Sequence, residues 1–265
     1  MLKGIMAQNT FEMARKAVEA VIANAKEGEM VPTFYITQKD LKEPVVQPFL
    51  KFYYNEVYAT IDGLYYILNF NDQTAELIAP TYGHYEGDIV IPDYVEQDGT
   101  KLAVTTLGEG AFSNTTLTSL QLPKETLKRI KGTAFYRTYG LKTLDIPETV
   151  TTLGEGATRE CPELTHIHIP ASVKHIGVGA FQGCANLTSI TVDENNMSYD
   201  SRQGCNAIID KASESMIQGC STTRFPSNVY TIGDKAFYGT EGLESISIPV
   251  GVTAIGEQAF AFCPR

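Results

Sequence analysis

The sequence has no apolar run approaching the roughly 18 residues that a membrane span needs, so it does not predict a transmembrane protein. Basic charge is scarce: its 21 lysines and arginines stand against 31 aspartates and glutamates, for a formal net charge of −10. This balance argues against nucleic acid or an anionic membrane surface as the main partner. The apolar fraction of 43% is typical of an ordered globular protein.

The motifs of common catalytic and cofactor sites are also missing. The sequence contains no G-x-S-x-G, G-x-x-x-x-G-K-[ST] or H-E-x-x-H pattern. Its five cysteines are an odd number with no C-x-x-C pair, which indicates neither a disulfide scaffold nor a zinc site. We therefore expect a protein that is not an enzyme and that needs no metal or cofactor.

A repeated pattern fills most of the chain. An apolar-x-apolar-Pro phrase recurs with prolines at 123, 147 and 170, and a V-x-x-I phrase, usually a glycine, and then Ala-Phe follow it. A unit of 23 residues cannot bury its own apolar face, so the units are expected to stack. The repeat phenylalanines are predicted to form one internal column; they are Phe112, Phe135, Phe181, Phe237 and Phe260.

Each phrase of the repeat has a physical interpretation. The apolar-x-apolar tripeptide is a short strand that ends where proline lacks a donor, and the glycine ends a second extended segment with a φ that is often positive. The first phrases are predicted to form one parallel sheet, from strands at 120–122, 144–146, 167–169, 190–192 and 246–248.

Three cysteines belong to the repeat. Four residues after the repeat alanine the chain places only threonine or cysteine, namely Thr115, Thr138, Cys161, Cys184, Thr240 and Cys263. Such a column is typical of buried, unreactive thiols. The other two, Cys205 and Cys220, flank a predicted hairpin and would face each other if it were symmetric about residues 212 and 213. Either a cross-strand disulfide or two free thiols fits this pattern.

The full pattern, L-x-x-I-x-I-P-x-x-V-x-x-I-G-x-x-A-F-x-x-C, resembles the BspA-like leucine-rich repeat family of bacterial surface proteins, from about Ile89 to the end. The resemblance implies a strand-dominated, right-handed superhelical solenoid of ~23-residue units. It also implies a cell-surface or secreted protein that serves adhesion or protein recognition. A host matrix or surface protein is the partner that the resemblance suggests.

The remainder of the chain divides into two segments. Residues 1–58 are predicted to hold a helix over 10–27 and an extended segment of unknown type. Residues 59–88 are predicted to form a β lead-in that caps the repeats, which occupy 89–265. A tyrosine-rich stretch at 53–66 is compatible with a cap or with an aromatic binding patch. The sequence leaves open whether a leader or further repeats were removed.

Binding residues are sought at the outward positions of the predicted strands. His166 and His168 alternate with Ile167 and Ile169, so both histidines should point to one face, and Asp145 takes the place of His168 one unit earlier. These could bind a partner or be solvated polar positions. The candidate binding residues are Gln121, Thr143, Asp145, His166, His168 and Thr191.

The sequence thus favours a non-enzymatic recognition or adhesion module that binds a protein or glycan through the repeat surface. Two alternatives stay open. The chain could be a structural spacer in a longer surface protein, or an enzyme whose catalysis lies in the unrecognised N-terminal region.

Overall fold

The structure is a computed structural model, and it describes residues 56–263. Within this range the chain forms short β-strands and one 3-10 turn at Arg202–Gly204, with no α-helix. None of these described elements is a helix long and apolar enough to cross a membrane. The helix predicted over 10–27 lies outside the described residues.

The first six strands lead into the repeats. They are β1 (Glu56–Ile61), β2 (Leu64–Asn69), β3 (Thr74–Ile78), β4 (Glu86–Val90), β5 (Tyr94–Gln97) and β6 (Thr100–Leu107). β1, β2 and β3 form an antiparallel meander, and β3 then pairs in parallel with β6, which also forms a hairpin with β5. The division of the chain at residues 58 and 88 stays a prediction.

The repeats contribute short strands to two ladders, which we name by their phrases. The remaining strands are β7 (Thr116–Gln121), β8 (Arg129–Ile130), β9 (Thr143–Leu144), β10 (Thr152–Leu153), β11 (His166–Ile169), β12 (His175–Ile176), β13 (Ser189–Val192), β14 (Tyr199–Asp200), β15 (Ile208–Asp210), β16 (Ser215–Gln218), β17 (Thr231–Ile232) and β18 (Ala254–Ile255). The front ladder holds the strands of the apolar-x-apolar phrase, most of which precede a proline. The back ladder holds the V-x-x-I strands, of which β6, β8, β10 and β12 pair in parallel in that order.

The front ladder is not the single sheet that the sequence predicts. β9, β11 and β13 form one parallel sheet, whereas β7 pairs with β4, and only an isolated bridge from Thr116 to Tyr139 joins the two. The unit between Pro123 and Pro147 has one residue more than its neighbour. Gly140, next to the bridge, has a φ of +80°, and a Cβ there would lie 2.2 Å from the Leu117 carbonyl oxygen. The extra residue thus breaks the register of the ladder.

The fifth predicted front strand is absent as well: residues 246–248 form no strand. Residues 222–226, which hold the corresponding place one unit earlier, form none either, so 246–248 has no neighbouring strand to pair with.

The predicted hairpin is confirmed as β15 and β16. It begins a separate sheet that holds the last back-ladder strands, because β16 pairs in parallel with β17 and β17 with β18, whereas β12 ends the earlier sheet. Both faces of this hairpin are buried. Ile208 and Ile217 pack on the hydrophobic cluster of the preceding units, whereas Ile209 and Met216 belong to the cluster of the following units.

All five cysteines are free thiols in the described structure, including the hairpin pair. A bulge between Ile208 and Ile209 shifts the register of the hairpin by one residue. Cys220 therefore lies beside Asn206, whose carbonyl oxygen is 3.5 Å from its Sγ, instead of facing Cys205.

The prediction that the glycine after the V-x-x-I phrase often has positive φ is wrong. Gly154 does not have positive φ; it is required because a Cβ there would lie 2.3 Å from the backbone nitrogen of Gly132 in the preceding unit. Positive φ falls two residues later, at Gly156 with 58°. Thr133 occupies that later place in the preceding unit with 52°, so the position tolerates other residues.

Four of the five repeat phenylalanines form two stacked pairs, and Phe181 belongs to neither, so there is no continuous column. The rings of Phe112 and Phe135 lie 5.3 Å apart at an interplanar angle of 7°, and those of Phe237 and Phe260 lie 5.0 Å apart at 11°. Thr158 interrupts the column. It is buried, and its hydroxyl is satisfied by a hydrogen bond, 3.0 Å long, to the carbonyl oxygen of Ala180 in the next unit.

The threonine and cysteine column is explained by hydrogen bonds between units. Each of four members donates its hydroxyl or thiol proton to the carbonyl oxygen of the residue 26 positions earlier, at the phenylalanine place of the preceding unit. The bonds are Thr138 to Phe112 (2.9 Å), Cys161 to Phe135 (2.9 Å), Cys184 to Thr158 (3.0 Å) and Cys263 to Phe237 (3.1 Å). The position therefore needs a small side chain that carries a donor, which threonine and cysteine both supply.

We predict that Phe181→Ala lowers the free energy of unfolding by about 3–5 kcal/mol, because this side chain is 2% exposed and its loss leaves a cavity. Met197→Ala is the matched control: Met197 is 86% exposed, so its truncation should change the free energy by less than about 0.5 kcal/mol. Urea denaturation of the three proteins measures both effects. Equal midpoints for Phe181→Ala and the wild type would contradict the stacked core.

We predict that thiol labelling separates the repeat cysteines by burial. The neighbouring Cys184 thiol and burial raise the pKa of the Cys161 thiol well above its ordinary value, so little thiolate is available there. Cys263 is only half-buried and should react first with iodoacetamide, whereas Cys161 and Cys184 should react only after denaturation. Mass spectrometry of timed samples measures the order, with Cys263→Ser as control. Early modification of Cys161 would refute the buried column.

Candidate binding surface

The outward residues of β11 begin the candidate surface. Ile167 and Ile169 are buried in the core, and His166 and His168 between them lie on the opposite, partly exposed face. The alternation follows from the two-residue period of a strand whose other face packs on the stacked units.

Two histidine–hydroxyl pairs join β11 to β13. The parallel register sets His166 opposite Ser189 and His168 opposite Thr191. Nδ1 of His166 lies 2.9 Å from Oγ of Ser189, and Nδ1 of His168 lies 2.9 Å from Oγ1 of Thr191. Which atom donates depends on the tautomer of each ring. Each contact orients the imidazole, so that Nε2 is the nitrogen left for another group.

The other predicted residues divide between two sheets. Thr143 lies opposite His166 across β9 and β11, and Asp145 follows β9; both are exposed. Gln121 is also exposed, but it ends β7, which belongs to the sheet of β4. We call the candidate set the polar row; its members are Gln121, Thr143, Asp145, His166, His168 and Thr191.

A groove of about 240 Å³ opens where the two front sheets part. Ser119 and Leu120 line it from β7, and Thr143 and Asp145 line it from the next unit. The break in the ladder thus separates Gln121 from the rest of the polar row and adds a recess that a continuous sheet would not have.

Ser189 is an outward position next to the predicted strand at 190–192 and is the partner of His166, at the same 23-residue spacing that relates His168 to Thr191. A second groove, of about 530 Å³, lies on the other side of β13. It was not predicted, because its far wall belongs largely to residues 192–220, an insertion that departs from the 23-residue repeat.

A cluster of charged and aromatic side chains lies on the turns after the repeat phenylalanines. The guanidinium groups of Arg137 and Arg159 lie 5.0 and 5.4 Å from the Tyr136 ring centroid. Glu160 accepts a hydrogen bond from Nε of Arg137 at 2.7 Å. Burial raises the pKa of Glu160, but the hydrogen bond and charge of Arg137, with those of Arg159, outweigh it and lower that pKa. Arg137 and Arg159 share the single carboxylate of Glu160, so the cluster retains one excess positive charge.

The described part of the chain holds no group of three or more histidine, cysteine, aspartate or glutamate side chains arranged to bind a metal ion. The two histidines and Asp145 thus do not form such a group.

The two-ladder stack of short units defines a strand-dominated leucine-rich repeat protein. The family model for the BspA type leucine rich repeat region matches residues 105–214 and 214–265, with six copies. The chain belongs to this family. A search of curated protein sequences gave no match.

Solved structures show the same fold at low sequence identity. A leucine-rich repeat protein from Bacteroides ovatus has a TM-score of 0.51 and 20% identity, over 77% of this chain and 57% of that one. One from Eubacterium ventriosum has a TM-score of 0.50 and 21% identity, over 77% and 62%. The pneumococcal vaccine antigen PcpA has a TM-score of 0.50 and 14% identity, over 77% and 67%. The match thus spans less than two thirds of the length of the first two.

We predict that the two histidine contacts respond separately to substitution. Thr191→Val should release Nδ1 of His168 and leave His166 unchanged, and Ser189→Ala should do the reverse, because each ring has its own cross-strand hydroxyl. Long-range ¹H–¹⁵N spectra report the tautomer and hydrogen bonding of each ring. Each variant serves as the control of the other, and a change at both rings in either variant would contradict independent contacts.

Proposed function

We propose that this protein is a non-enzymatic recognition module that binds a protein or glycan partner through the polar row. The observation that carries the proposal is the pair of histidines with hydroxyl-oriented rings on one strand face. An oriented side chain loses less conformational entropy when it binds than a free one does.

The chemistry of the row suits a polar, extended partner. The two Nε2 atoms, the Thr143 hydroxyl and the Asp145 carboxylate offer donors and acceptors on adjacent strands, which in parallel sheets lie about 4.8 Å apart. The row lacks the aromatic and arginine anchors that dominate tight interfaces. We therefore propose weak individual contacts that gain strength when several copies bind together.

Membership in the BspA-type family supports a surface or secreted location and an adhesive role. The right-handed superhelix of such proteins would present the polar row on its inner, concave side. A host matrix or surface protein is the partner class that we propose, and the binding needs no cofactor.

The test compares binding of the wild type and the double variant His166→Ala, His168→Ala to a panel of purified extracellular matrix proteins by surface plasmon resonance. We expect the double variant to lose affinity, because it lacks the two imidazoles that the cross-strand hydroxyls orient. His175→Ala is the matched control, because His175 is exposed on the back ladder.

Two outcomes would contradict the proposal. The first is binding that is insensitive to the loss of both histidines, which would move the site elsewhere, with the tyrosine-rich stretch at 53–66 as the next candidate. Within that stretch Tyr66 is buried, and Tyr53 and Tyr54 lie outside the described residues. The second is an absence of binding to any protein in the panel.

A further inference from the structure

The outer edge of β13 is the last edge of its sheet. The order of that sheet is β13, β11, β9, and no described strand pairs with the side of β13 that faces away from β11. The backbone N–H groups of Ser189 and Asp193 donate to Thr165 and Ile169 on the β11 side. Because successive residues of a strand alternate, the N–H and C=O groups of Ile190 and Val192 point to the outer edge.

An asparagine side chain occupies half of this edge. Oδ1 of Asn206 accepts a hydrogen bond from the Ile190 N–H at 2.5 Å, and its Nδ2 donates to the Thr188 carbonyl oxygen at 2.8 Å. Thr222 donates its hydroxyl to the same carbonyl oxygen at 2.8 Å. The carboxamide thus takes the place that a neighbouring backbone would take. No described group does the same for the Ile190 carbonyl, the Val192 N–H or the Val192 carbonyl.

The free half of the edge opens into the groove of about 530 Å³ beyond β13. Its near wall is β13 itself, and its other lining residues come from the insertion and the segment after it: Ser201, Gly204, Asn206, Thr222 and Arg224. The lining next to the strand edge is small or polar. An unpaired edge beside an open groove is a template for a further strand.

Arg224 places a positive charge at the groove. Its backbone N–H is held by the Cys205 carbonyl oxygen at 2.9 Å, but its exposed guanidinium has no ion pair with a described residue. No carboxylate lines the groove. An unpaired arginine beside a groove without carboxylates favours a ligand carboxylate, which it can bind through two parallel hydrogen bonds.

We propose that this groove binds an extended acidic peptide segment of another protein, which adds as a strand to the outer edge of β13. The peptide backbone pairs with Ile190 and Val192, and an acidic side chain of the peptide meets Arg224. Thr191 of the polar row also lines this groove. The mode of binding is nevertheless different, because it uses backbone groups that point along the sheet and not the histidine side chains on its face.

The test uses the capped pentapeptide acetyl-Thr-Val-Glu-Val-Thr-amide as the probe and the full 265-residue chain as the protein. Titration to about 5 mM, followed by ¹⁵N–¹H spectra, should shift the Val192 amide, since a strand-edge contact of this size falls in the millimolar range. The same peptide with N-methylated backbone nitrogens should bind about tenfold more weakly, because it lacks donors for the Ile190 and Val192 carbonyls. Equal affinity for the two peptides, or no shift, would overturn strand addition.

Two variants separate the backbone and charge components. Val192→Pro removes the outward N–H of residue 192, at a sheet edge where proline is tolerated. This variant should lose the hydrogen bond between that N–H and the peptide backbone. Thermal unfolding checks that the variant is still folded. Arg224→Glu should lose the acidic probe and gain the peptide in which lysine replaces glutamate. Failure of this charge exchange in a folded Arg224→Glu protein would overturn the assignment of Arg224.

The double variant His166→Ala, His168→Ala distinguishes this proposal from the proposed function. It should bind the probe as the wild type does, even if it no longer binds a matrix protein. Loss of probe binding in that variant would overturn the independence of the groove from the two histidines.

Discussion

Hydrogen bonding between the backbones of neighbouring units is the interaction on which the rest of the structure depends. Along the turn, Phe112 N–H donates to the Ala134 carbonyl oxygen at 2.7 Å, and Phe135 N–H donates in the same way to Ala157 at 2.8 Å. These bonds bring successive units so close that Gly154 has no room for a Cβ. The same closeness lets a hydroxyl or thiol reach the carbonyl of the preceding unit. The distance between neighbouring units therefore determines both where glycine is required and where threonine or cysteine is required.

Where a ladder ends or breaks, a side chain substitutes for the missing backbone. The Tyr85 hydroxyl accepts from the Tyr65 N–H and donates to the Ile78 carbonyl, beside the first strands. The Tyr199 hydroxyl accepts from the Ile176 N–H, where the back ladder passes into the insertion. Asn206 does the same on the front ladder. Buried backbone groups need partners, and these residues show how the fold supplies them outside the regular repeat.

The features that the sequence predicts correctly are those that the 23-residue repeat period controls. Burial of the repeat phenylalanines, the cysteine column and the hairpin all follow from a 23-residue spacing or from alternation within a strand. The errors fall where the period changes. One additional residue before Pro147 splits the front ladder, Thr158 ends the phenylalanine stack that begins at Phe112, and a single bulge moves Cys220 away from Cys205. For the candidate surface, the alternation indicates His166 and His168, but the groove depends on the insertion, which has no second copy to compare.

The hairpin with two buried faces has a consequence for the cooperativity of the molecule. Ile208 and Ile209 are adjacent in β15, yet they pack into different hydrophobic clusters. The hairpin is thus a partition between two cores, and each core has its own stacked phenylalanine pair. Repeat proteins lose all-or-none unfolding when the coupling between neighbouring blocks is weaker than the stability within them. Alternate residues of β15 pack into both cores. This hairpin therefore determines how strongly unfolding of one core destabilises the other.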